Sequence, residues 1–245
     1  MNRFYYDLHV HSCLSPCADN DNTPYNICAM ASLCKLDILA LTDHNSVKNC
    51  PAFFTAARSF GIIPIAGMEL TTSEDIHVVC LFDELDMALA FGEEIDSRRV
   101  LIKNRPEIFG EQLILGENDE LISKEEYLLP NATTVSLDEV PEVVSKYGGV
   151  CYPAHIDRDA NGIIAILGTI PPTPEFSAFE IRDKENVTKY VNSYSLSQKT
   201  IVIDSDSHYL TDFKDAENYF ELDCDKSDEG DVVRALFAHL RGECD

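Results

Sequence analysis

Six of the seven histidines in this chain lie at or just beyond the ends of short apolar segments that are typical of β-strands. Two form the pair His9-x-His11, and another closes the later sequence Asp206-x-His208. Residues at i and i+2 of a strand point to the same face, so each pair presents two ligand side chains together. Histidine is the commonest metal ligand, and carboxylates complete sites for Zn, Mn and Fe. The pattern therefore predicts a metalloenzyme whose centre holds more than one ion.

Further ligand-type side chains lie at the ends of strands in the middle of the chain. They are Asp43, His44, Glu69, His77 and His155. Adjacent residues of an extended strand cannot face the same point, so we expect His44 to bind metal and Asp43 to orient it by accepting a hydrogen bond. Glu69 leaves a strongly apolar strand, where an unpaired charge would be costly, and this favours a metal-bound carboxylate.

Alternating strands and helices must position these residues. The pattern predicts strands over 5–11, 37–41, 62–66, 76–82, 150–155, 176–181, 199–206 and 219–222. Helices are predicted over 24–33, 49–60, 86–95, 137–147 and 229–240. Such alternation, with almost continuously apolar strands, favours a parallel sheet covered by helices and closed into an α/β barrel. The C-terminal strand ends of such a barrel form the mouth of the active site.

One stretch, residues 98–133, fits no strand–helix unit. It contains a predicted hairpin with strands at 112–115 and 120–122, joined by the turn Gly116-Glu117-Asn118-Asp119. We therefore expect one domain over residues 1–245, with 98–133 as an insertion or cap.

The composition bounds the partners and the compartment. With 43 acidic and 19 basic side chains the net charge is −24, which disfavours polyanions, so no duplex nucleic acid is expected. No apolar run approaches the roughly 18 residues of a membrane span, and a membrane partner is not expected. Nine cysteines without the spacing of a disulfide scaffold, and an N-terminus unlike a signal peptide, predict a cytoplasmic protein. The oligomeric state is left open.

Five motifs resemble those of the PHP superfamily, which is named after bacterial DNA polymerase and histidinol phosphatase domains. In chain order they are Asp7-Leu8-His9-Val10-His11-Ser12, Leu41-Thr42-Asp43-His44, Gly67-Met68-Glu69, Pro153-Ala154-His155 and Asp206-Ser207-His208. The resemblance implies a distorted (β/α)7 TIM-like barrel that holds two or three divalent ions (Zn, Mn or Fe, with Mg also allowed).

The same resemblance implies roles for individual residues. The more buried part of the metal centre would comprise His9, His11, Glu69 and Asp206, and the rest His44, His77, His155 and His208. The family also places an acidic or histidine ligand after the first motif. Asp19, five residues before Pro24, is the expected ligand, with Asp21 as the fallback. The glycine of the family pattern is missing here.

Clustered cations suit phosphoester hydrolysis, because they lower the pKa of a bridging water and neutralise phosphoryl and leaving-group charge. We therefore predict attack of a bridging hydroxide on phosphorus. Arg158 and Arg182 follow predicted strands and are expected to bind the phosphate, with a surface ion pair to a neighbouring aspartate as the alternative. The expected substrate is a small phosphorylated metabolite, a nucleotide or a short oligonucleotide end.

Three other interpretations compete with this one. Amidohydrolase barrels also begin with His-x-His, but they end on a lone late aspartate and often use a bridging lysine, whereas this chain has Glu69 and Asp206-x-His208. A closed structural zinc site of His9, His11, Cys13 and Cys17 would leave Glu69 and the late motif unexplained. A barrel that retains metals only for stability or as a binding module is the non-catalytic alternative.

Overall fold

The computed structural model describes residues 1–243 as a mixed α/β fold. The strands are β1 (Asn2–Asp7), β2 (Ile38–Leu41), β3 (Ile63–Thr71), β4 (His77–Phe82), β5 (Leu113–Leu115), β6 (Leu121–Lys124), β7 (Val150–Pro153), β8 (Ala178–Glu180), β9 (Thr200–Val202) and β10 (Tyr219–Leu222). The helices are α1 (Pro24–Leu33), α2 (Cys50–Ser59), α3 (Leu85–Arg98), α4 (Pro106–Phe109), α5 (Val140–Ser145), α6 (Ile163–Leu167), α7 (Val187–Ser193) and α8 (Glu229–Arg241). Among the described residues, none of these helices has the length and apolarity needed to cross a membrane.

The main sheet has six strands in the order β10-β1-β2-β3-β4-β7, and β8 and β9 form a separate parallel pair. β1, β2 and β3 run parallel, whereas β10, β4 and β7 each pair antiparallel with a neighbour. A bridge between Val10 and Ser207 joins the segments that follow β1 and β9. The expected parallel sheet is therefore corrected to a curled, mixed sheet, and the described residues do not close a complete (β/α)7 barrel.

The reversal at β4 has a simple cause. Only residues 72–76 separate β3 from β4, and a parallel return needs a crossover of about a dozen residues or more. The two strands consequently form a hairpin in which Thr71 pairs with His77. The first residue of β4 therefore lies beside the last residue of β3.

Both faces of the sheet are buried, which explains the almost continuously apolar strands. In β2, Leu39 and Leu41 belong to the apolar cluster that includes α1, α2 and α3, whereas Ile38 and Ala40 face a second cluster that includes α8. Two of the surrounding helices have side-chain caps: Thr23 accepts from the Asn26 amide at the start of α1, and Asp228 accepts from Asp231 in α8. These caps explain why both helices begin where the sequence predicts.

The predicted hairpin within 98–133 is present as β5 and β6, and it packs on the loop that follows β1. The Leu113 amide donates to the Cys13 carbonyl at 2.8 Å, and Asn49 bonds both Leu113 and Leu115 through its side-chain amide. Gly110, at φ +100°, passes so close to the Pro16 carbonyl that a Cβ would come within 2.0 Å of its oxygen. The segment therefore supports the loop of residues 12–17.

Candidate metal centre

Glu69, inside β3 and 1% exposed, is the residue around which the histidines converge. Five imidazole nitrogens lie near its carboxylate oxygens: His77 Nδ1 at 2.7 Å, His44 Nδ1 at 2.9 Å, His155 Nε2 at 3.0 Å, and the Nε2 atoms of His9 and His11 at 3.3 Å. Three of these histidines, His9, His11 and His155, are far from Glu69 in the sequence. The structure thus brings five of the six predicted histidines to one carboxylate.

His77 reaches this centre because β4 is antiparallel. In a parallel strand its position at the start would place it at the opposite end of the sheet from Glu69. In the observed hairpin the start of β4 lies at the same end as the C-terminal ends of β1, β2 and β3.

Asp206 joins the centre from the segment after β9. The Nε2 atoms of His9 and His11 are 3.1 Å apart, and they lie 3.6 and 3.4 Å from Asp206 Oδ1. Asp206 has φ +51° and His155 has φ +27°, values that non-glycine residues seldom adopt. Strained backbone of this kind persists where surrounding contacts hold it and is concentrated at functional sites.

His208 completes the predicted set. Its ring centroid lies 4.3 Å from that of His11 and 6.2 Å from that of His44. Its Nδ1 lies 2.8 Å from the Asp206 carbonyl oxygen, which accepts a hydrogen bond and leaves the Nε2 lone pair for a ligand role. In each of three groups, the donor atoms lie within 4.8 Å of one another. The groups are His9/His11/Asp206, His44/Glu69/His77 and His11/His44/His208.

These donors fit divalent metal ions. Glu69 Oε2, Asp206 Oδ1 and His44 Nδ1 are buried and have no hydrogen-bond partner among the described residues. His44 Nδ1 is 2.9 Å from Glu69 Oε2, yet the pair lacks hydrogen-bond geometry. Leaving a buried polar atom without a partner costs roughly 1–3 kcal/mol. Lone pairs that converge in this way, from imidazoles and carboxylates, are the arrangement that Zn, Mn or Fe requires.

The imidazoles and carboxylates stabilise each other's charge. Burial alone would raise the pKa of Glu69, but His77, His9 and His44 hold it well below its usual range. Burial also opposes ionisation of Asp206, and again His9 and His11 keep its pKa low. For His9, burial acts to lower the pKa, yet Glu180, Glu69 and Asp206 raise it well above its ordinary value. Both carboxylates are therefore ionised at neutral pH and able to bind cations.

Two buried residues that the sequence did not single out orient the first pair of histidines. Glu180 Oε2 lies 2.8 Å from His9 Nδ1, and Ser15 Oγ lies 3.0 Å from His11 Nδ1. With the Nδ1 atoms engaged, both Nε2 atoms face the centre. Glu180 carries the signal that identified Glu69, a charge at the end of an apolar strand, whereas Ser15 carries none.

Asp43 supports the centre in a different way from the one expected. Its carboxylate accepts hydrogen bonds from Ser12 Oγ at 2.6 Å and Ser15 Oγ at 2.7 Å. Ser15 in turn contacts the His11 imidazole and accepts from the His44 amide at 3.1 Å. Asp43 therefore acts on the histidines through Ser15, not by a direct bond to the His44 ring.

The loop after the first motif differs most from expectation. Asp19 is exposed, and its Oδ1 accepts from the Asp21 amide at 2.8 Å, so its carboxylate closes a local turn and joins none of the donor groups. Cys17, two residues earlier, is also exposed and likewise belongs to none of these donor groups. Desolvation acts to raise the pKa of Cys17, but the neighbouring histidines, His44 first, lower it to about 5.

The alternative of a closed zinc site formed by His9, His11, Cys13 and Cys17 is not found among the described residues. Cys13 is buried, and its sulfur lies 4.0 Å from the Leu113 carbonyl oxygen. Burial raises the pKa of this thiol to about 12, which is unfavourable for metal binding.

Of the two arginines, only Arg158 contacts a residue of the candidate centre. Arg158 Nη1 is 2.6 Å from Asp206 Oδ2, so its ion pair is with a ligand candidate and not with the neighbouring aspartates. Arg182 is exposed, and its backbone amide bonds Asp157. Both arginines, with Lys184 and Lys214, line a cavity of about 440 Å³.

The family is shown by sequence. The family model of the PHP domain matches residues 7–170, and this chain belongs to that family. A curated relative, an error-prone DNA polymerase from Symbiobacterium thermophilum, is 39% identical over 77 residues. Those residues make up 31% of this chain and 7% of the polymerase.

Solved structures share the fold at low sequence identity. The lesion-specific endonuclease Q of Pyrococcus furiosus matches with a TM-score of 0.66 at 14% identity, over 97% of this chain and 56% of that one. A protein from Bifidobacterium adolescentis, named as a metal-dependent phosphoesterase, matches with a TM-score of 0.56 at 16% identity, over 83% of this chain and 87% of its own. This chain therefore spans little more than half of endonuclease Q.

One of these structures corrects an expectation. Endonuclease Q in complex with a 27-mer duplex that carries an abasic lesion matches with a TM-score of 0.61 at 14% identity, over 96% of this chain and 56% of that one. A protein with a similar fold thus has a DNA duplex as its substrate. The expectation that duplex nucleic acid is excluded was wrong, because net charge does not report the local field of a metal-containing cleft.

Proposed function

We propose that this chain hydrolyses phosphoesters with two or three divalent ions held by its strand-end cluster. The ligands would be His9, His11, His44, Glu69, His77, His155, Asp206 and His208. One observation carries the proposal: buried imidazoles and two ionised carboxylates converge with lone pairs that have no hydrogen-bond partner in the described chain. Such ions, when bound, supply a water of lowered pKa and polarise phosphoryl oxygens.

The protein's own groups then have three tasks. Glu180 and Ser15 hold His9 and His11 in the orientation that directs both Nε2 atoms inward. Arg158 neutralises Asp206 and keeps its carboxylate in place. Burial of Glu69 and Asp206 excludes water from the anions, which strengthens their attraction for cations.

The cavity beside Arg158 favours a phosphate over a neutral amide substrate. It is lined by four basic residues, Arg158, Arg182, Lys184 and Lys214, against three acidic ones, Asp157, Asp183 and Glu217. Arg182, Lys184 and Lys214 make no ion pair with residues 1–243, so their charges are available to a bound anion. Arg recognises phosphate oxygens in bidentate fashion, and Lys adds a mobile charge. We therefore assign the substrate phosphate to this side of the centre.

The test uses the full chain, stripped of metal and reloaded with Mn²⁺ or Zn²⁺. Release of p-nitrophenol from a phosphate monoester and a diester is compared with release of p-nitroaniline from an amide. Labelled single strands and duplexes, with and without an abasic site, extend the panel. We expect metal-dependent cleavage of phosphoesters only; a loaded protein that cleaves none of them, or prefers the amide, would overturn the proposal.

A matched pair of variants tests the phosphate subsite. Arg182→Gln should raise KM for the preferred phosphoester by about tenfold with little change in kcat, because it removes binding common to ground and transition states. Arg234→Gln, on the exposed face of α8, should leave both constants unchanged. Equal effects of the two substitutions would remove Arg182 from the site.

A further inference from the structure

Cys80 and Cys151 lie opposite each other on neighbouring strands of the main sheet. The antiparallel register of β4 and β7 pairs the two residues directly, although they are far apart in the sequence. Both are free thiols. Among the described cysteines, no other lies within a strand. The two residues therefore form a cross-strand dithiol that the fold itself assembles.

The hydrogen-bond pattern gives this pair the closer of the two spacings found between antiparallel strands. The Ala154 amide donates to the His77 carbonyl at 3.1 Å, and hydrogen-bonded pairs alternate with non-hydrogen-bonded pairs along the ladder. Cys80 and Cys151 come three pairs further on, so they form a non-hydrogen-bonded pair. Pro153 fits the same alternation, because it has no N–H to donate to β4. The Cα atoms of a non-hydrogen-bonded pair are about 4.5 Å apart.

The two cysteine side chains also share one face of the sheet. Cys80 belongs to the apolar cluster that includes α1, α2 and α3, and Cys151 packs against that cluster. A disulfide requires Cα atoms roughly 4.4–6.8 Å apart. The spacing of a non-hydrogen-bonded pair lies at the short end of this range. Rotation about the two χ1 angles is therefore enough to bring the sulfurs together, without movement of either strand.

The two thiols differ in their access to solvent. Cys80 is fully buried, and its sulfur lies 3.6 Å from the Val78 carbonyl oxygen. Cys151 is partly exposed. Burial raises the pKa of Cys151 to about 12 and that of Cys80 well above its usual value, so both react slowly. A small oxidant consequently reaches Cys151 first, and Cys80 is the thiol directly beside it.

We propose that Cys80 and Cys151 are a site of reversible oxidation, at which a peroxide converts the two thiols into a disulfide. The Cys151 sulfur attacks one oxygen of hydrogen peroxide, which breaks the O–O bond and yields a sulfenic acid and one water. The Cys80 sulfur then attacks the sulfenic sulfur. The S–S bond forms, and the sulfenic hydroxyl leaves with the Cys80 proton as a second water. Two thiols and one peroxide thus give one disulfide and two waters.

The disulfide joins the two strands that carry His77 and His155. His77 begins β4, three residues before Cys80, and His155 follows β7, four residues after Cys151. The bond also closes residues 81–150, with the insertion at 98–133, into a loop. Such a cross-link reduces the conformational freedom of the unfolded chain. Oxidation therefore stabilises the strand pair, and this effect does not depend on bound metal.

Peptide mapping tests the disulfide directly. The full chain is stripped of metal, treated with hydrogen peroxide, unfolded, alkylated with N-ethylmaleimide and digested with trypsin. Trypsin releases residues 59–98 and 147–158 as separate peptides, each with one cysteine. We expect the two peptides to be joined, two fewer maleimide labels per chain, and complete reversal by dithiothreitol. The urea midpoint of unfolding should rise on oxidation and return to its starting value on reduction.

Four variants separate this pair from the other thiols. Cys80→Ala and Cys151→Ser should each abolish the joined peptide. Cys17→Ser and Cys224→Ser remove thiols outside the strands and should leave its yield unchanged. Oxidised, unaltered protein without the joined peptide, or an equal loss of it in all four variants, would overturn this inference. The readout is a covalent bond in metal-free protein, so either result leaves the phosphoesterase proposal as it stands.

Discussion

The molecule contains two groups of buried carboxylates, and burial has a different outcome for the pKa values in each group. Glu69 and Asp206 belong to the candidate metal centre, whereas Asp7 and Asp204 stand two residues before His9 and Asp206 in the sequence. Glu180 connects the groups, since it contacts the His9 imidazole. We call Asp7, Glu180 and Asp204 the acidic layer.

The difference between the groups comes from their neighbours. Imidazoles surround Glu69 and Asp206 and keep their pKa values low in spite of burial. In the acidic layer, burial raises the pKa of Asp7 to about 6. Burial, followed by the charges of Asp7 and Glu180, raises the pKa of Asp204 well above its usual value. A buried carboxyl group is thus an anion where imidazoles surround it, whereas burial favours the protonated form of Asp204.

The largest predicted effect comes from breaking the metal centre. His9→Ala removes one ligand candidate and should lower metal-dependent kcat by about a thousandfold or more, since bound ions supply several kcal/mol of charge stabilisation. Steady-state turnover measured with metal analysis checks this. His239→Ala, which alters a histidine on α8 away from the centre, should change kcat by less than about twofold. Full activity in His9→Ala would place the reaction elsewhere.

A substitution in the acidic layer should have a favourable effect, because it should raise the stability of the protein. An acid whose folded pKa is raised loses stability as pH rises from its unfolded pKa to its folded one, here from 3.8 to about 6. Asp7→Asn removes that loss and should stabilise the metal-free protein by up to about 3 kcal/mol at pH 7.5, and by less than about 1 kcal/mol at pH 4. Urea unfolding at both pH values measures the difference. An equal gain at the two values would show that ionisation is not its source.

The smallest predicted effect concerns Glu180, which joins the two groups. Glu180→Gln keeps an acceptor for His9 Nδ1 but removes the charge that raises the basicity of the ring. Metal affinity should fall by about 10–100-fold, as for other residues that orient ligand histidines, and saturating metal should restore kcat. Competition titration against a chromophoric chelator measures the affinity. Glu175→Gln, an exposed partner of Lys199, is the control and should bind metal normally.

The elements themselves could be predicted from local patterns. Thr23-Pro24 begins α1 and Asp228 begins α8 because capping chemistry is local to a few residues. The direction of β4 depended on a length rule as well as on pattern: five residues after Thr71 are too few for a crossover. The short helices α6 and α7 were missed, since neither is long enough to display a clear apolar period.

The residues of the site likewise divide into those that the sequence could predict and those that it could not. Strand-end position identified Glu69, His155 and Asp206, since a polar ligand must interrupt an apolar strand to reach the mouth. Nothing in residues 12–22 showed that the Asp19 carboxylate would turn away from the histidines, because the direction of a side chain in this loop depends on the turn that carries it. That turn is set by main-chain bonds to His208 and by contact with Gly110, and both partners are about 90 residues or more away.

The sequence by itself determined the class of chemistry: histidines and carboxylates at strand ends, with spacing that places pairs on one face, predict a metal centre wherever the strands meet. Tertiary structure alone decided which atoms share that centre. It directed β4 so that His77 meets Glu69, and it put Ser15 between Asp43 and His11. The physical reason is that side-chain periodicity is a property of each strand, whereas coordination depends on ångström-scale distances between segments that only packing brings together.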